Sequence, residues 1–299
     1  MGIFGSKSFQ LLVVILGASS AKAEIVGQSL IDPQSLLGAQ SLSRGGATAA
    51  SNLAHDALFQ NPASAAFEKK YALNFGYLGA GSSLTASVVD TKSGPLGGGL
   101  FYLRRDLVQP ASSPASMGNF ARLEERAGFS LFGKFSEDFA VGTNIKYGYR
   151  RDYSLGLGNL SKWNFDVGAR FLASSSVQLG AVAQNLVSEE SGLHPRTFAF
   201  ALEYRPSLAL ALSAQVNRYA GSNFEGMGPE LGYGAGLEYK LPQGFAVSGG
   251  YRRTILTADD LVSAGLGYEA SSFGLRYSLE AGVGKSRGQS HSVVLSGYL

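Results

Sequence analysis

From Tyr71 to its last residue the chain alternates in polarity, and that alternation leaves few folds open to it. Phe165, Val167, Ala169 and Phe171 share one face, and Asn164, Asp166, Gly168 and Arg170 share the other. Phe198, Phe200, Leu202 and Tyr204 oppose Thr197, Ala199, Ala201 and Glu203 in the same way. Phe273, Leu275, Tyr277 and Leu279 oppose Gly274, Arg276, Ser278 and Glu280. A period of two is the signature of a strand with two unlike faces. No later stretch approaches the roughly 18 apolar residues of a helical span, so any membrane crossing must be made by a closed barrel.

A soluble sandwich and a membrane barrel share this periodicity, with the apolar face turned to a core in one and to lipid in the other. Two features favour the barrel. The polar faces are rich in glycine and serine, which suits a packed lumen better than a solvated surface. Aromatics recur near strand ends, at Tyr71, Tyr77, Tyr149, Trp163, Tyr204, Tyr219, Tyr239, Tyr251 and Tyr268, where interfacial girdles belong.

The pattern predicts about fourteen strands, near 71–79, 81–90, 96–105, 122–135, 138–150, 161–173, 175–187, 196–205, 207–219, 229–240, 243–253, 260–270, 272–282 and 289–299. An even count with short turns alternating with longer loops is the pattern of a single-chain bacterial barrel. The short turns are near Ser136, Ser174, Pro206, Pro242 and Ser271, and the longest loop is expected at 106–121.

Residues 1–23 read as a signal peptide: Lys7, an apolar core from Phe9 to Ala18, and a small-x-small site at Ala21-Lys22-Ala23. Lys7 and Lys22 fall in this leader, which has no acidic residue, so the formal charge of +3 drops by two in the mature chain. So small a charge gives no support to nucleic-acid binding. With no cysteine, a disulfide scaffold, a thiol nucleophile, a thiolate metal site and a lipoprotein anchor are excluded.

Between leader and strands lies a stretch of another kind, LLGAQSLSRGGATAASNLAHDALFQNPASAAF, Leu36 to Phe67. Gly45-Gly46 breaks the chain. A helical run is predicted from about Thr48 to Phe59, ending near Gln60. Asn61 is a favoured N-cap and Pro62 a favoured first helical residue, so a new turn starts there. The segment has too little apolar bulk to fold alone and must be enclosed. Residues 24–69 are therefore expected to plug a barrel formed by 70–299.

Ser43-Arg44-Gly45-Gly46-Ala47, Asp56-Ala57 and Asn61-Pro62-Ala63, in this order before the first strand, resemble the hatch of the FadL/PorV-like outer-membrane barrels. The resemblance implies an all-β, antiparallel transmembrane barrel of fourteen strands with a partly helical hatch in its lumen. It implies a place in the outer membrane of a Gram-negative bacterium, in contact with its lipid and with the barrel-assembly machinery. It also implies passage of small hydrophobic or amphipathic molecules, with lateral exit at a kinked third strand. Gly97-Gly98-Gly99 falls on that strand, and glycines there mark a bulge or bend, or make room for the hatch. Other members of the superfamily bind a protein partner or copies of themselves and do not transport. The modest loops here favour that alternative, and Tyr298-Leu299 replaces the usual terminal Phe.

Lumen-facing ionisable groups are predicted at Lys146, Arg150, Asp166, Arg170, Glu203, Arg205, Glu238, Lys240, Arg252, Glu269, Arg276 and Glu280. Charges at membrane depth must be paired around a cavity. The reading is a mixed-sign network that holds the hatch, without the separated signs of a porin constriction. His55, His194 and His291 do not form a base-and-nucleophile pattern, since sequence neighbours on a strand point to opposite faces. No catalysis, metal or cofactor is expected.

Overall fold

The computed structural model describes residues 38–51, 54–68, 70–78, 83–109, 120–152, 159–187, 196–220, 231–254, 260–283 and 289–299. The leader, residues 24–37, and the segments 110–119, 188–195 and 221–230 lie outside the described residues. Helix α1 spans Ala39–Ser43, helix α2 spans Ala54–Gln60, and a 3-10 helix spans Pro62–Phe67.

Fourteen antiparallel strands follow, each paired with its sequence neighbours. They are β1 Tyr71–Leu78, β2 Ser83–Asp90, β3 Leu96–Gln109, β4 Phe120–Lys134, β5 Phe139–Asp152, β6 Asn159–Leu172 and β7 Val177–Gln184. The second half comprises β8 Arg196–Tyr204, β9 Leu210–Ala220, β10 Leu231–Lys240, β11 Phe245–Arg253, β12 Asp260–Glu269, β13 Phe273–Gly282 and β14 Gln289–Tyr298. β1 closes on β14, from Ala72 opposite Tyr298 to Leu78 opposite Ser292. Closure leaves no sheet edge, which lets strands cross lipid with every backbone group satisfied.

The outer face carries an apolar belt, with Leu100, Leu131, Phe165, Phe200, Leu237, Leu266 and Leu295 exposed. Below it, next to the short turns, stand Phe139, Phe171, Tyr204, Tyr239, Phe245 and Phe273; above it stand Tyr77, Tyr102, Tyr147, Trp163 and Tyr233. An apolar band between two aromatic girdles is the surface of a membrane barrel.

Three expectations need correction. Among the described residues the helical run predicted from Thr48 is seen over Ala54–Gln60, and a hydrogen-bonded turn lies at Thr48 to Ser51. The loop predicted at 106–121 is shorter, because β3 and β4 continue their pairing out to Gln109 and Phe120. Leu107, Val108 and Phe120 are thus strand residues, whereas Pro110, Pro114 and Met117 lie outside the described residues. The glycine triplet does not bulge: Gly97, Gly98 and Gly99 pair one-to-one with Phe132, Leu131 and Ser130, and Gly98 and Gly99 also pair with Asp90 and Val89.

Candidate functional site: the plugged lumen

The hatch sits inside the barrel because the inner wall is built to accept its backbone. A Cβ at Gly168 would overlap the Asn61 side chain, one at Gly142 would overlap Pro62 and Ala63, and one at Gly180 would overlap the Ala49 carbonyl. On the far side, Cβ atoms at Gly234, Gly236 and Gly250 would overlap Arg44 and Gly45. Glycine is thus required on β5–β7 and β10–β11 for close approach. Gly45 and Gly46 themselves have φ of 60° and 73°, the left-handed region that favours glycine.

Asn61 makes three hydrogen bonds that tie the hatch to itself and to the wall. Its Oδ1 accepts the Ala63 N–H at 3.2 Å, which caps the 3-10 helix. Its Nδ2 donates to the Ala49 carbonyl at 2.8 Å within the hatch and to the Ala169 carbonyl of β6 at 3.1 Å. Pro62 starts the helix with fixed φ, and Ala63 is fully buried against the wall.

Ion pairs finish the attachment. Arg44 Nη2 meets Glu203 Oε2 at 2.6 Å, and Glu203 also accepts from Ser51 and, at 2.6 Å, from Arg205. Arg170 donates to the Ser64 carbonyl at 3.2 Å and lies 4.5 Å from the Phe67 ring centroid. Gln40 and Arg276 each donate to Glu238 at 2.9 Å. Lys70 donates to Glu269 at 3.0 Å. Burial works against the Lys70 ammonium, but Glu68 and Glu269 outweigh it, so its pKa sits above the ordinary lysine value. Away from the hatch, Arg252 makes two 2.7 Å bonds to Glu280, and Lys146 meets Asp166 at 2.7 Å.

Of the predicted lumen charges, Lys146, Asp166, Arg170, Glu203, Glu238, Arg252 and Glu280 are buried and Lys240 is exposed, and their distribution was not apparent in one dimension. On the inner wall of β3–β6, Arg105, Arg126, Lys146, Arg150 and Lys162 stand with Glu124 and Asp166, a cationic excess among the described residues. β3–β6 are also the long strands, 14 or 15 residues each. Arg105, Glu124, Arg126 and Lys162 were missed by the sequence reading. They lie within the predicted strands 96–105, 122–135 and 161–173, and their inward faces follow from the same alternation.

Cavities flank the hatch among the described residues. One, of about 160 Å3 at the end with the short turns, is lined by Lys70, Glu238, Glu269, Arg276 and other polar groups. Another, about 30 Å3, lies between Leu58, Phe59, Phe101 and Leu103 on one side and Arg126, Lys146 and Asp166 on the other. Below that smaller cavity an apolar cluster of Ala57, Leu58, Ala65, Val89, Phe101 and Phe132 joins the hatch to β2–β4. It reaches the glycine triplet: a Cβ on Gly99 would come within 2.9 Å of Leu58 Cδ1, and one on Gly97 would overlap the Phe132 ring. Gly98 faces outward, where a Cβ meets nothing closer than 3.5 Å.

Solved structures of similar architecture include a transporter, a channel and a FadL homologue. The Pseudomonas putida toluene transporter TodX matches with a TM-score of 0.71 at 11% identity, over 91% of this chain and 99% of that one. The CymD monoaromatic hydrocarbon channel matches at 0.69 and 13% identity, over 88% and 97%. A Pseudomonas aeruginosa FadL homologue matches at 0.62 and 13% identity, over 87% and 97%. The fold is that of the FadL-like barrels. No family model and no curated protein matches the sequence itself. Identity this low establishes a FadL-like architecture without transferring a substrate.

His291 Nδ1 and the Tyr277 hydroxyl share a hydrogen bond of 2.6 Å on the outward face, while Ser290 and Ser292 point into the lumen. The two serines and the histidine are therefore separated by the barrel wall. His194 lies outside the described residues.

Proposed function

We propose that this FadL-like barrel carries small apolar or amphipathic molecules across the outer membrane of a Gram-negative bacterium and does no chemistry on them. Residues 1–23 are a leader, 24–69 the hatch and 70–299 the barrel in this reading. The carrying observation is the apolar seam between hatch and β2–β4, which runs from Phe59 and Phe101 down past Leu58 to the glycine triplet. The fold it shares with a toluene transporter and a monoaromatic hydrocarbon channel supports the same reading.

A solute that follows this seam has a reason to leave sideways. Straight ahead lies the cavity lined by Lys70, Glu238, Glu269 and Arg276, where an apolar solute would strip water from charged groups. Sideways, the inner surface of the wall at Gly97 and Gly99 is covered by Phe132 and Leu58. Turning those two side chains aside brings the solute to bare backbone with lipid beyond. The continuous pairing of Gly97–Gly99 favours a second reading, a sealed barrel that binds a protein partner or its own copies.

Uptake of toluene by cells producing single-site variants separates the two. Gly99→Val fills the seam against Leu58 and should lower uptake several-fold with barrel assembly retained. Gly98→Val adds its bulk to the lipid side and should leave uptake near that of the unmodified barrel. Unchanged uptake by a correctly assembled Gly99→Val barrel would make the sealed, partner-binding reading the better one.

A further inference from the structure

The hatch meets the wall in three chemically different ways. Against β5–β7 and β10–β11 it lies backbone-on-glycine, and against β2–β4 it buries apolar side chains. The third contact is made where α1 packs over β11–β14, chiefly β13. There the inner wall is a run of small hydroxyls that continues onto β2. Ser278 of β13 sits directly opposite Ser292 of β14. Ser292 is opposite Leu78 of β1, Leu78 is opposite Ser83 of β2, and Thr85 is the next inward residue on β2.

The hydroxyls of Ser278, Ser292, Ser83 and Thr85 are buried and find no hydrogen-bond partner among the described residues. The Ser263 hydroxyl on neighbouring β12 shares that condition. Buried hydroxyls without partners are costly, and neighbouring ones on one wall seldom go unserved. Separating the hatch from this wall would therefore expose groups that gain by meeting water, whereas separating it from the glycine or apolar contacts would not. One and two inward positions further down the same strands, Arg276, Val294, Ser296 and Asn74 line the 160 Å3 polar cavity at the end with the short turns. Above, Arg252 and Glu280 are closed on each other by two bonds and leave no net charge in the path.

We propose that the β12–β14 and β1–β2 face of the lumen is an aqueous conduit, separate from the apolar seam, for water and small uncharged polyols of about glycerol size. Neutral hydroxyls offer such solutes donors and acceptors without holding them as a charge would. This proposal does not depend on passage through the apolar seam.

The test is osmotic swelling of phospholipid liposomes holding the mature barrel, followed by light scattering after a glycerol jump. The unmodified protein should speed swelling several-fold over protein-free liposomes. The combined Ser278→Ala, Ser292→Ala and Thr85→Val variant removes hydroxyls without adding bulk, and its swelling should fall to near the protein-free rate. Thr85→Val alone, which keeps the side-chain volume, should show a partial fall and carries the test where the combined variant does not assemble. Toluene uptake in the same vesicles should be unchanged by these substitutions, so the two routes fail or stand separately. Swelling no faster than protein-free liposomes, with heat-modifiable folded barrel present, would overturn the proposal. So would assembled variants that swell at the unmodified rate.

Discussion

Arg44 and Glu203 form an ion pair of 2.6 Å with side-chain exposures of 1% and 0%, and it joins a hatch residue to a strand of the wall. So buried a pair cannot be separated without stranding a charge. Arg44→Met should loosen the hatch by about 3 kcal/mol, the low end for a buried pair that loses one member, because Arg205 still meets Glu203 at 2.6 Å. Larger single-channel conductance and faster cleavage of the hatch by added protease would report it. A variant with unchanged conductance and cleavage would show that the glycine contacts hold the hatch without this pair.

Asn61→Ala removes a cap and two carbonyl contacts in one step. The expected loss is about 2–3 kcal/mol, from roughly 1 kcal/mol per cap or hydrogen bond. Gly168→Ala should have a similar effect by a different route, because its methyl would overlap the Asn61 side chain. The pair should be strongly non-additive, since the methyl has less to meet once Asn61 is truncated. Urea denaturation in detergent, following hatch protection, measures all three variants.

The Arg252–Glu280 pair gives a cleaner energetic case, since both side chains are 2% exposed. Either Arg252→Leu or Glu280→Leu alone should cost about 3–5 kcal/mol. The double substitution should cost less than either single one, because no charge is then left without its partner. Thermal unfolding of the three variants decides it, and a double variant less stable than both singles would contradict the assignment of the cost to a stranded charge.

Trp163 is the sole tryptophan, is 60% exposed and lies 5.2 Å from the Tyr147 ring in the upper girdle. Its fluorescence should be quenched by lipids brominated high on the acyl chain, more than by lipids brominated near the chain end. Aqueous iodide should quench it weakly. The reverse order would remove this residue from the membrane interface.

What the sequence by itself determined is the set of strands and the face each side chain takes. Leu231, Tyr233 and Leu237 had to share one side and Gly232, Gly234 and Glu238 the other, because a pleated strand turns successive side chains to opposite faces. The Asn61-Pro62 start was legible for the same kind of reason: capping chemistry is local, and its partners lie within a few residues.

What only the tertiary structure decided is what each inward residue meets. Gly168 and Gly99 look alike in one dimension, yet one is kept small by Asn61 and the other by Leu58, from different parts of the hatch. Gly97–Gly99 keeps one-to-one pairing, and the space beside Gly97 and Gly99 is taken by Phe132 and Leu58. The sign of the lumen was equally hidden. Arg105, Arg126, Lys146 and Lys162 come from four consecutive strands whose antiparallel registers set them side by side, so their charges add in space although they are dispersed along the chain. Local rules set the faces of strands, and only the register between paired strands brings their inward residues into one field.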